Sequence, residues 1–124
     1  MATEDLIILQ KTYDMINYGY QAIAQFPKSE KYALGTDMKK CMHQILEYTI
    51  VAHKKYYKKT TLQELDVEVT KLKAYTRLAK DLGFLPFKKY EVWSKYNVEI
   101  GKMFGISEAA VRRRIVKHQK RIQE

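Results

Sequence analysis

The sequence of 124 residues is poor in the residues that turn, bend or cross-link a chain: it has one cysteine, two prolines and five glycines. A single cysteine, Cys41, cannot form a disulfide within the chain, which fits a reducing compartment. Scarce proline and glycine leave few positions for tight turns, and this disfavours a β-fold of many short strands. The sequence therefore favours a few long helices in one domain.

Long apolar runs are also missing. No stretch approaches the ~18 apolar residues that a membrane span needs. No positively charged segment leads into an apolar one at the start of the sequence, as it would in a secretory signal. We therefore expect a soluble, cytoplasmic protein with no membrane partner.

Apolar residues recur at steps of three and four in four segments, the spacing of helices that each bury one face. The four predicted stripes are Leu6, Leu9, Tyr13, Ile16, Tyr20 and Ile23; Leu34, Met38, Cys41, Ile45, Tyr48 and Ala52; Leu62, Leu65, Val69, Leu72, Ala79 and Leu82; and Tyr90, Trp93, Asn97, Ile100 and Phe104. Three short connections between the segments predict an all-α fold, an antiparallel up-down-up-down four-helix bundle.

Local signals predict where these helices begin and end. They are Pro27 as the end of the first helix, Ser29 near the start of the second, Thr61 with Glu64 as a capping box for the third, Gly83 as its C′ residue, and Phe87 near the start of the fourth. The apolar link at residues 84–86 is expected to pack against the bundle. Residues 1–104 then form the bundle core, and residues 105–124 form a basic helical extension of the fourth helix.

The net charge of +9 is unevenly distributed along the chain. Residues 28–59 and 87–124 carry the whole positive excess, which concentrates in two clusters. The first consists of Lys54, Lys55, Lys58 and Lys59, interleaved with Tyr56 and Tyr57; the second consists of Arg112, Arg113, Arg114, Lys117, Lys120 and Arg121. Cations beside tyrosines suit phosphate contact with base stacking, and arginine adds bidentate phosphate contact. The alternative interpretation is a solvated helix end and a solvated tail.

Catalytic chemistry has no recognisable pattern in this sequence. His43, His53 and His118 do not have metal-ligand spacing, and Cys41 lies on an apolar stripe, where a small buried side chain is expected. Gly101 and Gly105 lie within the fourth segment rather than in a phosphate-binding loop. We therefore expect a protein that is not an enzyme, with no catalytic residue, no cofactor and no metal.

Several ordered motifs resemble one bacterial four-helix-bundle family. They are residues 26–35 (FPKSEKYALG), 77–82 (RLAKDL), 89–91 (KYE) and 99–103 (EIGKM). The family contains the accessory variability determinant (Avd) proteins of diversity-generating retroelements and the ribosomal-RNA intervening-sequence proteins. The resemblance covers roughly residues 10–104 and is lost after Phe104, where an arginine-rich segment follows.

The resemblance implies a non-enzymatic homopentameric barrel with a positively charged surface. It also implies two partners besides further copies of the chain: a reverse transcriptase, and nucleic acid in the form of template RNA, DNA or both. Such a protein would support mutagenic retrohoming.

Two other functions remain open. Residues 100–121 resemble a helix-turn-helix, with Gly105 in the turn and Ser107 as a cap, which would make the chain a sequence-specific DNA-binding regulator. The third possibility is an oligomeric scaffold that binds protein alone.

Overall fold

A computed structural model describes residues 3–54 and 59–104 of the chain, and over those residues it contains helices and no strand. Four helices are long: α1 spans Thr3–Ile23, α3 spans Leu34–Lys54, α4 spans Lys59–Asp81 and α5 spans Phe87–Met103. A single short turn of helix, α2, spans Lys28–Lys31 between the first two. The long helices contact one another in a closed ring, α1 with α3, α3 with α4, α4 with α5, and α5 with α1. This confirms the prediction of an all-helical four-helix bundle.

The core lies along the axis of this ring and is built mainly from the stripes predicted for the second, third and fourth segments. Met38, Cys41 and Ile45 of α3 are buried together with Leu65 and Leu72 of α4. Trp93 and Ile100 supply the face of α5, and Trp93 has no exposed surface. Leu85 in the link before α5 is 2% exposed, which confirms that this link packs against the bundle.

The face of α1 that meets the core differs from the predicted stripe. Its buried residues include Thr12, Met15, Gly19 and Ala22, whereas Tyr13 is 61% exposed. Leu6 and Tyr20 are exposed as well, so the predicted stripe was wrong as a core face at these three positions, whereas Ile23 is buried and half-buried Ile16 packs against the core. The two rows differ by one residue, about 100° around a helix. The observed row contains smaller side chains and a glycine, and at Gly19 the side chains of Met42 and Trp93 lie close to the α1 backbone.

The second predicted helix is divided in two. Ser29 lies inside α2, and α3 begins only at Leu34, after a C-cap at Tyr32 with φ −96° and ψ −3°. The interruption coincides with a close approach at Gly35. A Cβ atom at that position would lie 2.7 Å from Ile23 Cγ2 and 3.2 Å from the Glu30 carbonyl oxygen. The chain therefore bends before α3, and a glycine occupies the point of contact.

The capping box predicted at Thr61 and Glu64 was wrong. α4 already begins at Lys59, and Thr61 is a buried core residue, 5% exposed, one turn before buried Leu65. Leu82 was also misassigned to the apolar face, because it follows the end of α4 and is 54% exposed. α4 therefore begins and ends closer to the N-terminus than predicted.

Gly83 ends α4 as predicted. Its φ of +82° lies in the left-handed region that favours glycine. Its amide donates to the Lys80 carbonyl at 3.0 Å, and the Phe84 amide donates to the Ala79 carbonyl at 2.9 Å. These two bonds form a Schellman motif, which satisfies carbonyls that the end of a helix leaves without partners. The chain then reverses into α5, which starts at Phe87 as predicted.

Three buried threonines contribute to the core without linking one helix to another. Thr12, Thr49 and Thr76 each donate a hydroxyl bond to the carbonyl four residues earlier, at 2.9, 2.7 and 2.7 Å. Because each hydroxyl is satisfied within its own helix, the side chain can pack as a small apolar group. None of the helices in residues 3–54 and 59–104 is long and apolar enough to cross a membrane.

Candidate nucleic-acid interface

The first predicted basic cluster lies at one end of the bundle. Lys54 is the last residue of α3, Lys59 is the first residue of α4, and both are exposed. Because these two helices contact each other and are joined by residues 55–58, their adjoining ends lie at the same end of the bundle. Lys55 and Lys58 lie outside the described residues. The described part of this cluster therefore places two cations where α3 passes into α4.

The second predicted cluster follows α5. Arg112, Arg113, Arg114, Lys117, Lys120 and Arg121 all lie outside the described residues. The described residues contain 15 basic and 12 acidic side chains, a net charge of +3, whereas the remainder contains eight basic and two acidic, a net charge of +6. Two thirds of the net charge thus lie in segments adjoining the bundle.

A cation–aromatic cluster joins α1 to α3 on the surface. The Tyr20 hydroxyl lies 2.6 Å from His43 Nε2, and the two rings are stacked with centroids 5.9 Å apart and an interplanar angle of 29°. Lys39 Nζ lies 4.8 Å from the centroid of the Tyr20 ring, within the range of a cation–π contact. Lys39 and His43 are one helical turn apart on α3, so both side chains face Tyr20.

This cluster has the chemistry of a single-strand binding surface. Such surfaces combine aromatic rings that stack on bases with cations that contact phosphates. Lys39 and His43 already contact the Tyr20 ring, which is 37% exposed, so only the remaining exposed part of that ring is open to a base. Sequence reasoning missed it because Tyr20 was assigned to the core. The four-residue spacing of Lys39 and His43 was a signal that α3 presents a polar, cationic face there, but nothing in the sequence indicated that Tyr20 would lie against it.

A second cation–aromatic contact joins α4 to α5, but its charge is compensated. Lys80 Nζ lies 4.5 Å from the centroid of the Tyr90 ring and 3.3 Å from Asp81 Oδ1. Because the carboxylate already neutralises this lysine, the contact is better suited to holding the two helices together than to binding phosphate.

A sequence model of one protein family, described as bAvd-like, matches residues 6–111 of the chain. The chain belongs to the bAvd-like family. This confirms the resemblance to Avd proteins, and it extends the shared region from Phe104 to Val111. A search of curated proteins finds no match to the chain. The arginine-rich cluster begins at Arg112, immediately after the matched region.

Some cations on the sides of the bAvd-like bundle are paired with acids. Lys11 Nζ lies 3.0 Å from Glu99 Oε1 between α1 and α5, and this hydrogen bond raises the pKa of Lys11. On α4, Lys71 Nζ lies 3.3 Å from Glu68 Oε1. Such exposed pairs contribute little to stability. They do neutralise charge, so the sides of the bundle at these positions are weaker sites for phosphate.

The single cysteine of this bAvd-like chain has the environment of a structural thiol. Cys41 is 2% exposed, and its Sγ lies 3.1 Å from Glu68 Oε2 and 3.3 Å from the Glu68 carbonyl oxygen. Burial, followed by the hydrogen bond to Glu68, raises the pKa of Cys41 to about 12. Because the thiolate is the nucleophilic form, this thiol is unreactive near neutral pH. Within the described ranges no group of three or more His, Cys, Asp or Glu side chains could hold a metal.

Proposed function

We propose that this bAvd-like protein is a non-enzymatic accessory protein of a diversity-generating retroelement, which binds template RNA or DNA and associates with the reverse transcriptase. Membership in the family is the observation that carries the proposal. The distribution of charge supports it, because the positive excess is concentrated in segments that adjoin the bundle rather than in its paired sides. The mode of binding would be phosphate contact by Arg112–Arg121 and Lys54–Lys59, with base stacking near Tyr20.

A salt series of filter-binding measurements tests the nucleic-acid part. If all three side chains contact phosphates, Arg112→Ala/Arg113→Ala/Arg114→Ala should make the negative slope of log affinity against log salt shallower by about 2 on single strands and about 3 on duplex DNA. The matched control is Lys73→Ala/Arg77→Ala/Lys88→Ala, which removes the same charge from the sides of the bundle and should change the slope by less than about 1.

Three results would contradict phosphate binding by this segment. They are a salt-independent affinity, an absence of binding to template RNA, and equal slopes for the two triple variants. Loss of discrimination between an operator and random DNA, rather than a uniform loss of affinity, would favour the helix-turn-helix alternative at residues 100–121. Association with the polymerase is tested by co-purification with the reverse transcriptase encoded beside this gene, and a genome without such a neighbour would count against the retroelement.

We further propose that the protein assembles as a homopentameric barrel. The exposed stripe on α1 supports this, because Leu6 is 51% and Tyr13 61% exposed, and half-buried Leu9 and Ile16 complete the row. A pentamer of 14.7 kDa chains has a mass of about 74 kDa, which light scattering after chromatography measures. Tyr13→Glu should dissociate the pentamer, whereas Val67→Glu on α4, where the wild-type side chain is 56% exposed, should not. A monomeric wild-type protein would contradict the assembly.

A further inference from the structure

One end of the bundle carries two of its links, and these links form a single packed surface. We call this surface the link end; it consists of residues 24–33, between α1 and α3, and residues 82–90, from the end of α4 through the first turn of α5. The Phe26 and Phe84 rings, one from each segment, contact each other with centroids 6.1 Å apart. Phe26 and Leu85 are only 3% and 2% exposed. The two segments are therefore packed together rather than being independent loops.

The link end holds the whole net charge of the described residues. It contains four basic side chains and one acidic side chain, a net charge of +3, whereas the other described residues contain eleven basic and eleven acidic side chains, which cancel. The five charged residues are Lys28, Lys31, Lys88, Lys89 and Glu30. None of these lysines forms an ion pair within the part of the chain that the structure describes, and Lys89 donates a hydrogen bond to Gln25 Oε1 instead. The link end is thus a cationic surface without compensating acids.

The two most exposed large hydrophobic side chains of the described residues lie at the same end. Tyr32 is 77% and Phe87 66% exposed, and Leu82 is 54% exposed next to the turn at Gly83. The Phe87 ring packs at a tilt against Tyr90, with centroids 6.2 Å apart and an interplanar angle of 45°. Exposed apolar side chains that are collected on one surface and surrounded by polar residues are typical of protein interaction sites.

Apolar and cationic side chains are interspersed at the link end, and this pattern indicates the class of partner. A nucleic-acid strand carries a phosphate at every nucleotide, which favours a continuous row of cations. Here Glu30 interrupts the sequence between Lys28 and Lys31, and aliphatic Leu82 offers no face on which a base can stack. A protein segment can supply carboxylates for the lysines together with apolar side chains for the exposed aromatic rings.

We propose that the link end is a docking surface for an acidic segment of a partner protein, whose apolar side chains pack on Tyr32 and Phe87 while its carboxylates pair with the lysines. This surface lies far from the cations at the other end of the bundle, because α3 runs from Leu34 at the link end to Lys54 and is about 30 Å long. A partner protein and a nucleic acid can therefore be bound at the same time. The inference goes beyond nucleic-acid binding and does not depend on it.

Synthetic peptides test the chemistry of this partner by fluorescence anisotropy. The probe is a labelled peptide in which glutamates alternate with leucines, and two control peptides replace either the glutamates with glutamine or the leucines with serine. The wild-type chain should bind the probe at least about fivefold more tightly than either control peptide, because each control lacks one kind of contact. No measurable binding of the probe, or equal binding of all the peptides, would overturn the proposal.

A double variant tests the contribution of charge. Lys28→Ala/Lys88→Ala removes one exposed lysine from each segment and should weaken binding of the probe about fivefold. The matched control is Lys59→Ala/Lys102→Ala, which removes two exposed lysines outside the link end. It should weaken binding by less than about twofold, because salt screens charges at that distance. Equal effects of the two double variants would contradict docking at the link end.

A single variant tests the apolar contribution. Phe87→Ser should weaken binding of the probe at least about fivefold, because it removes an aromatic anchor. Val98→Ser, on the same helix but outside the link end, changes a side chain that is 42% exposed and should have less than about a twofold effect. Circular dichroism of both variants separates a loss of binding from a loss of folding. Equal losses of affinity in two folded variants would refute packing on Phe87.

Carbodiimide cross-linking of the probe to lysine amines locates the bound peptide directly. Cross-links at the four lysines of the link end should outnumber those at Lys59 and Lys102 by at least about tenfold, because an amide bond forms only where a carboxylate is held beside the amine. An even distribution of cross-links would overturn the proposal.

Two further measurements exclude other occupants of the link end. Lys28→Ala/Lys88→Ala should lower the affinity for a single-stranded oligothymidylate by less than about twofold, and a loss as large as that for the probe would assign this surface to nucleic acid instead. Light scattering should give the same mass for this variant as for the wild type. A smaller mass would show that a second copy of the chain occupies the link end, which would also overturn the proposal.

Discussion

The tight contact between α1 and its neighbours at Gly19 gives a prediction that can be worked through in numbers. A Cβ atom on Gly19 would lie 2.5 Å from Met42 Sδ, 2.8 Å from Trp93 Cζ2 and 3.0 Å from Met42 Cε. Replacing the glycine with alanine should gain about 1 kcal/mol of helix propensity. Because one of the three contacts is with fully buried Trp93, they should cost about 2–3 kcal/mol, the upper part of the range for overpacking. Trp93 is fully buried and cannot move aside, so we expect Gly19→Ala to lower the free energy of unfolding by about 1–2 kcal/mol.

Thermal melts followed by circular dichroism measure this loss. A loss of 1–2 kcal/mol should lower Tm by roughly 4–8 °C in a domain of this size. In a Met42→Ala background the loss should shrink, giving a coupling energy of about 0.5–1 kcal/mol, because two of the three closest atoms are then gone while Trp93 Cζ2 still lies 2.8 Å from the new Cβ atom. Gly83→Ala is the control: its Cβ would meet open space, so its cost comes from the left-handed φ and should not depend on Met42. An unchanged or higher Tm for Gly19→Ala, or strict additivity with Met42→Ala, would refute the packing argument.

Three further predictions concern the thiol, the core and the interface. The pKa of Cys41 is raised to about 12 from an ordinary 9.0, so its contribution to stability is complete below pH 9 and is lost as the pH rises toward 12. In urea titrations, the free energy of unfolding should therefore fall less steeply above pH 9 in Cys41→Ser than in the wild type. Equal slopes against pH would contradict this assignment. Neither amide atom of buried Asn97 hydrogen-bonds to another of the described residues, so Asn97→Leu should raise the free energy of unfolding by about 1–3 kcal/mol in the same titrations. A lower free energy of unfolding would show that the amide has a favourable partner. Tyr20→Leu should weaken single-stranded RNA binding at least about fivefold in filter assays. Tyr32→Leu, at a tyrosine that is 77% exposed and outside the Tyr20–His43–Lys39 cluster, should not, and equal effects of the two substitutions would rule out stacking at Tyr20.

Much of the fold could be predicted from the sequence because three of the four stripes are made of large apolar residues at helical spacing. Met38 and Ile45, for example, are side chains with no competing requirement for water. The turn at Gly83 could also be predicted, since the left-handed conformation of a C′ glycine depends on the local sequence.

The orientation of α1 could not be predicted in the same way. Its true core row contains a threonine and a glycine, which look polar and flexible in sequence, whereas the neighbouring row contains two tyrosines, which look apolar. The decision depends on tertiary contacts: Thr12 satisfies its hydroxyl within α1, and Gly19 lets Met42 and Trp93 approach.

The candidate site was less accessible to sequence reasoning than the fold. Tyr20 and His43 are 23 residues apart and meet only because α1 packs on α3. Lys54 and Lys59 were identified by charge alone, which shows where cations accumulate but not what they contact. The same is true of the predicted cluster from Arg112 to Arg121, which lies outside the described residues.

The threonine hydroxyls that bond within their own helices have a consequence for how this family can evolve. None of the hydrogen bonds made by Thr12, Thr49 and Thr76 crosses between helices, so a Thr→Val exchange at any of them would leave no hydrogen-bonding group in a neighbouring helix without its partner. Sequence drift at these core positions should therefore be rapid among small side chains of similar shape. Drift should be slow at Gly19 and Gly35, where the spacing between helices leaves no room for a side chain. Across relatives, we expect the two glycines to be invariant while the buried threonines exchange with valine, because side-chain shape rather than hydrogen bonding between helices fixes how these helices pack.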